Sequence, residues 1–203
     1  RGPGLAAALF AGVDAARCLA NTLRVPLYGI NHMAGHALSP RLEHEVPFPY
    51  IALIVSGGHT MTVLVQGSTR FSILGETLDD SLGEALDKAA HWLGIVDSMS
   101  SLSPAAQLEH LAESCQIPAK PHFPAAMNDS SCDFSFSGLK TEMQKMANRH
   151  DQDRNILAVA FQEALFEQVQ RKFVKALRSA IQIYPKISGV ALCGGVARNQ
   201  RLR

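Results

Sequence analysis

The chain has 203 residues, 47% of them hydrophobic, which is enough to bury a sizeable core, and its 19 Lys and Arg against 18 Asp and Glu leave a formal net charge of only +1. That balance excludes a whole-chain basic footprint for nucleic acid, so any contact with RNA is local. Cys18, Cys115, Cys132 and Cys193 show neither CxxC spacing nor the density of a disulfide-stapled secreted domain, and no apolar run reaches the ~20 residues that cross a bilayer.

Residue 1 is Arg and no signal-like pattern follows it, so we expect the chain to be cut from a longer one. From Leu5 to Leu23 apolar residues recur at three- and four-residue steps, predicting an amphipathic helix that Pro26 stops. Leu27 to Ile30 reads as a short buried strand, and Asn31 to Leu38 as a helix with Asn31 as its N-cap. Tyr50 to Val55 is a continuous apolar run, predicting a strand buried on both faces. It ends at Ser56-Gly57-Gly58, where a hairpin leads into a second strand from Thr60 to Val65, and Phe71 to Leu74 adds a third. Asp79 and Asp80 are placed to start a helix striped by Leu82, Leu86, Ala89, Ala90 and Leu93, with Gly94 closing it. Residues 95–137 read as an irregular or inserted segment with one helix from Pro104 to Ser114. A long amphipathic helix runs from Ile156 to Ile181, and a buried strand from Ser188 to Cys193 leads into Gly194-Gly195 and the start of another helix. Strands alternating with helices give an α/β fold.

His32 and His36 stand four apart, so on a helix both imidazoles leave one face about a turn apart, close enough to share a metal. The bland alternative is a pair of ordinary packing histidines. Met33 stands where a metalloprotease HExxH has its glutamate base, which disfavours peptide hydrolysis by that route. Ser56-Gly57-Gly58-His59-Thr60 reads either as a tight turn or as a backbone cradle for an anion. Gly194-Gly195, between a strand and a helix start, is a second such element, and two together suggest a nucleotide cleft. Asp80, Glu84 and Asp87 share a helix face, as ribose or metal contacts or as a solvated first turn. Asp133 to Thr141 alternates hydroxyl and aromatic side chains before a glycine and a lysine, and by itself fits a strand edge and turn.

Taken in order, Asn31 to His36, Val55 to Thr60, Leu74 to Asp80, Gly83 to Lys88, Asp133 to Thr141 and Gly194 to Asn199 resemble the motifs of the tRNA N6-adenosine threonylcarbamoyltransferase family. The form Ser56-Gly57-Gly58-His59-Thr60 is similar to its bacterial and mitochondrial branch. The resemblance implies an actin-like, sugar-kinase-like fold of two α/β lobes, here expected to be incomplete at both ends, with residues 1–203 forming an incomplete pair of actin-like ATPase-type domains. It implies transfer of a threonylcarbamoyl group from threonylcarbamoyl-adenylate to N6 of adenosine 37 in tRNAs reading codons that start with A. Carried over by position, His32 and His36 would hold one divalent metal ion per subunit, iron or zinc, while Ile54, Val55, Ser56, Gly57, Gly58, Asp87 and Asn199 would line the adenylate site. No catalytic side chain is singled out. tRNA, the adenylate and a second copy in a homodimer are the implied partners, no membrane is, and the branch points to mitochondria. Relatives carry Tyr-Pro-Gly-Gly-Pro where this chain reads Val96 to Pro104, which removes one expected backbone contact to substrate. A small-molecule kinase of the same fold, or a truncated form acting only through partners, are the alternatives. The kinase gives no reason for the paired histidines, and a turnover assay on this chain against an extended one separates the truncated form.

Overall fold

The computed structural model describes residues 4–114, 123–124, 129–149 and 152–203; Cys115 and part of the 95–137 segment lie outside these. Two helices, α1 (Ala6–Leu23) and α2 (His32–Leu38), precede an antiparallel meander of β1 (Tyr50–Val55), β2 (Thr60–Gly67) and β3 (Arg70–Glu76). Four helices follow: α3 (Leu82–Trp92), α4 (Pro104–Glu113), α5 (Ser137–Arg149) and α6 (Arg154–Ile183). The chain then returns to the sheet as β4 (Val190–Cys193), parallel to β1, giving the order β3-β2-β1-β4.

The continuous apolar run of β1 is explained by cover on both faces. Tyr50, Ala52 and Ile54 pack with Ala37 of α2 and with Met61, Val63 and Val65 of β2. Leu53 and Val55 face the opposite way, into the main core built with α3, α4, α5 and α6, and Ile51 meets Leu64 and Ala180. Side chains alternate across a strand, so a strand sandwiched between two helical layers needs apolar residues at every position. No described helix is long and apolar enough to cross a membrane.

Three expectations are corrected. Leu27 to Ile30 is neither a strand nor buried: Leu27 is 55% and Ile30 79% exposed. Among the described residues no strand lies beside it to satisfy its backbone, and apolar composition alone cannot make a strand. Asp79 and Asp80 do not start α3. Ser81 does, its hydroxyl accepting a hydrogen bond from Glu84 N at 3.1 Å. The segment read as a strand edge makes one parallel bridge, Phe134 to Thr77, and then becomes α5. The α1 helix forms as predicted but buries none of its residues, leaving Leu5, Phe10, Leu19 and Leu23 exposed.

Candidate functional site

Parallel strands leave their carboxyl ends side by side, and ligands in open α/β sheets bind there. The ends of β1 and β4 meet at such a corner. Gly194 follows β4 with φ +99°, and a Cβ there would fall onto the carbonyl of Val55. Only glycine meets both conditions. The start of α3 closes in from the other side: a Cβ on Gly83 would stand 2.7 Å from Ser56 O and 2.8 Å from Gly57 Cα.

The turn between β1 and β2 is held internally. Ser56 Oγ accepts from His59 N at 3.0 Å and Gly58 N at 3.3 Å, Ser56 N donates to His59 O at 2.8 Å, and Ser81 Oγ donates to Gly57 O at 2.7 Å. The amides of Gly58 and His59 therefore bond to Ser56, and Gly57, exposed like Gly58, borders open space. That space is a cavity of about 420 Å³ lined by Gly57, Gly83, Asp87, Gly195, Arg198 and Asn199, with Ser101 to Ser103 and the first turns of α4 along its rim. Asp87 Oδ1 accepts from Ala105 N at 2.8 Å and so also tethers the start of α4. Asn199 sits at the end of a single 3-10 turn, Gly195–Arg198, where the sequence suggested a longer helix.

The histidines lie at the other end of the same turn. Asn31 caps α2, accepting from Ala34 N at 3.0 Å, and the helix brings His32 Nε2 and His36 Nε2 to 3.1 Å from each other. The His59 ring centroid stands 6.0 Å from that of His32, which makes His59 the link between the imidazoles and the glycines. Burial lowers the His36 imidazole below its ordinary value, and His32 and His59 push the same way; burial, then His32, lowers His59. Two ligand nitrogens ~2.1 Å from one ion, at angles between right and tetrahedral, stand about 3.0–3.4 Å apart, so the pair fits a shared divalent cation. Among the described residues no group of three or more His, Cys, Asp or Glu is arranged as a complete metal site.

A polar network braces the corner. Asp79 accepts from Ser135 Oγ at 2.5 Å and Phe136 N at 2.8 Å, tying residues 133–136 to the end of β3. Burial raises its carboxyl, but those bonds, joined by Ser137, outweigh it and leave it below the usual carboxylate range. Asp80 bonds both Lys88, at 3.1 Å, and Lys140, and their pull likewise exceeds the upward push of burial.

Of the residues predicted from sequence, Gly57, Asp87 and Asn199 are brought to one cavity, and Ser56 and Gly58 to the turn at its edge. His32 and His36 are paired at the far side of that turn. Ile54 and Val55 are fully buried at 0% exposure, and neither is among the residues that line the cavity. Sequence reasoning passed over His59, Ser81 and Gln162. His59 carried a signal, adjoining the glycines; Gln162, mid-helix and 37 residues from Asn199, carried none.

The tRNA N6-adenosine threonylcarbamoyltransferase family model matches residues 1–203. Proteins with that name from Ruegeria sp. (strain TM1040), Syntrophotalea carbinolica and Listeria innocua are 38%, 40% and 39% identical, each match covering 100% of this chain and 56%, 58% and 57% of the relative. The chain thus spans little more than half the length of these relatives. Among solved structures, component A of the (R)-2-hydroxyglutaryl-CoA dehydratase of Acidaminococcus fermentans, a protein of actin-like ATPase fold, superposes with a TM-score of 0.51 at 16% identity, covering 86% of this chain and 56% of that one. At that identity the likeness concerns fold alone. A family match over every residue, joined to a four-stranded α/β lobe, settles the membership: the chain belongs to the tRNA N6-adenosine threonylcarbamoyltransferase family.

Proposed function

We propose that the protein of which this chain is part transfers a threonylcarbamoyl group from threonylcarbamoyl-adenylate to N6 of adenosine 37 in tRNAs reading codons that start with A. The observation that carries this reading is the continuity of the corner: His32 and His36 adjoin, through His59, the same turn whose Gly57 opens onto the cavity of Asp87 and Asn199. An acyl adenylate needs both parts, a polar cavity for its nucleotide and electrophilic help at its acyl end. In this reading the nucleotide occupies the 420 Å³ cavity, with Gly57 allowing close approach and Asn199 and Asp87 offering polar contacts. The turn then directs the acyl end toward the histidines. His32 and His36 hold one divalent metal, iron or zinc, which when bound supplies Lewis-acid polarisation of a carbonyl. Burial first, then His32 and His59, lowers the His36 imidazole below its ordinary value and so favours the neutral form that can hold such an ion.

Two lobes enclosing the cleft, a mitochondrial location and a homodimer complete the reading. The actin-like likeness supports the first, the His59 form of the turn the second, and the exposed apolar residues of α1 the third. The test is mass spectrometry of modified nucleosides in tRNA from cells lacking the parent gene. The unsubstituted gene restores threonylcarbamoyladenosine, and His32→Ala/His36→Ala does not; full restoration by the double variant would refute the reading.

A further inference from the structure

Asn199 has two N–H donors on its carboxamide nitrogen and two acceptor positions on its oxygen. The oxygen is filled, because Oδ1 accepts from Arg201 N at 3.0 Å and Leu202 N at 3.1 Å. On the nitrogen, Nδ2 donates one hydrogen to Gln162 Oε1 at 3.0 Å. Both side chains are buried, at 5% and 4% exposure, so the bond is shielded from water and the carboxamide cannot turn without leaving buried polar atoms unpaired. The next residue of α6 repeats the grip: Glu163 takes Arg201 in a two-point ion pair at 2.5 and 2.7 Å. Helix α6 therefore fixes where Asn199 stands and which end of its amide is free. What remains is a single N–H at the wall of the cavity.

We infer that Gln162 is a positioning residue that makes Asn199 present a hydrogen-bond donor, and no acceptor, to the nucleotide. This deepens the adenylate reading and rests on it. The ligand group seated against Asn199 is accordingly an acceptor, such as an unprotonated ring nitrogen or a ribose or phosphate oxygen.

AMP binding to the full-length protein, followed by calorimetry, tests this. Gln162→Met fills a similar volume without an acceptor, and weakens AMP by about three- to tenfold, the worth of one oriented hydrogen bond. Gln162→Glu keeps the acceptor and restores binding to within about twofold, whereas a merely structural role would leave both variants impaired. In the unsubstituted protein, AMP shifts one of the two Asn199 Nδ2 proton resonances, and that measurement stands even if Gln162→Met does not fold. Equal AMP affinity in all three proteins, or movement of neither resonance, overturns the inference while leaving the adenylate site standing. Failure of the unsubstituted protein to bind AMP overturns both.

Discussion

Gly194 and Val55 touch backbone to backbone, 139 positions apart in sequence, and the absence of a side chain on Gly194 is what lets the ends of β1 and β4 lie edge to edge. The first prediction follows from this contact. Gly194→Ala combines a clash with a positive φ, and costs on the order of 2–4 kcal/mol, a loss of roughly 5–15 °C in Tm. Thermal unfolding checks it; an unchanged midpoint contradicts the contact.

Gly83→Ala pits two effects against each other. In a helix, alanine is favoured over glycine by about 1 kcal/mol, but here its Cβ meets main-chain atoms of Ser56 and Gly57 that cannot swing aside. The clash wins, so the variant is less stable than the parent by chemical denaturation, with AMP affinity reduced as the turn is pushed away. Gly138→Ala, whose Cβ would meet nothing within 4 Å, is the control that gains stability.

Acid should loosen the strap at residues 133–136. Asp79 titrates below its ordinary value in the folded protein, so the unfolded chain takes up the proton first as pH falls. The stabilisation is present above the unfolded pKa of about 3.9 and fades as pH drops through the lower folded value. Asp79→Asn is therefore less stable than the parent near neutral pH, and the gap in Tm narrows below about pH 4. A gap that widens in acid would reverse the sign.

The strands and the long helix were legible because their apolar period is local: Tyr50 to Val55 and Leu157 to Ala180 announce themselves within one window. The same rule failed at Leu27 to Ile30, since burial needs a partner surface that no window contains. The glycine turns and His32/His36 were visible as spacing. Their union through His59, and the grip of Gln162 on Asn199, arise from elements that meet only in three dimensions.

Metal content gives a further test. In the full-length protein, His32→Ala or His36→Ala lowers affinity for zinc or iron by more than about a hundredfold, exceeding the usual cost of losing a supporting residue alone. Because the His36 pKa is depressed, the parent retains metal as pH falls past the ordinary imidazole value of about 6.5 and releases it only below that. Elemental analysis after dialysis at stepped pH reads both, and retention by either variant would remove the histidines from the site.

Lys172 is buried in α6 with 2% side-chain exposure, and its ammonium bonds Asp129 Oδ1 at 2.5 Å and Ser131 O at 3.1 Å. Removing one partner of such a pair is worse than removing both. Asp129→Ala should lower Tm more than the double replacement Asp129→Ala/Lys172→Met, by thermal unfolding, and the opposite order would show that the cation is solvated after all.

The sheet order has a consequence for synthesis. Because β1 completes its parallel edge with a strand some 140 residues later, the corner cannot exist on a growing chain until Asn199 has left the ribosome. Until then, among the described residues, the meander is open at β1 as well as at β3, and the uncovered row of amides on β1 is what a chaperone would find on the nascent polypeptide.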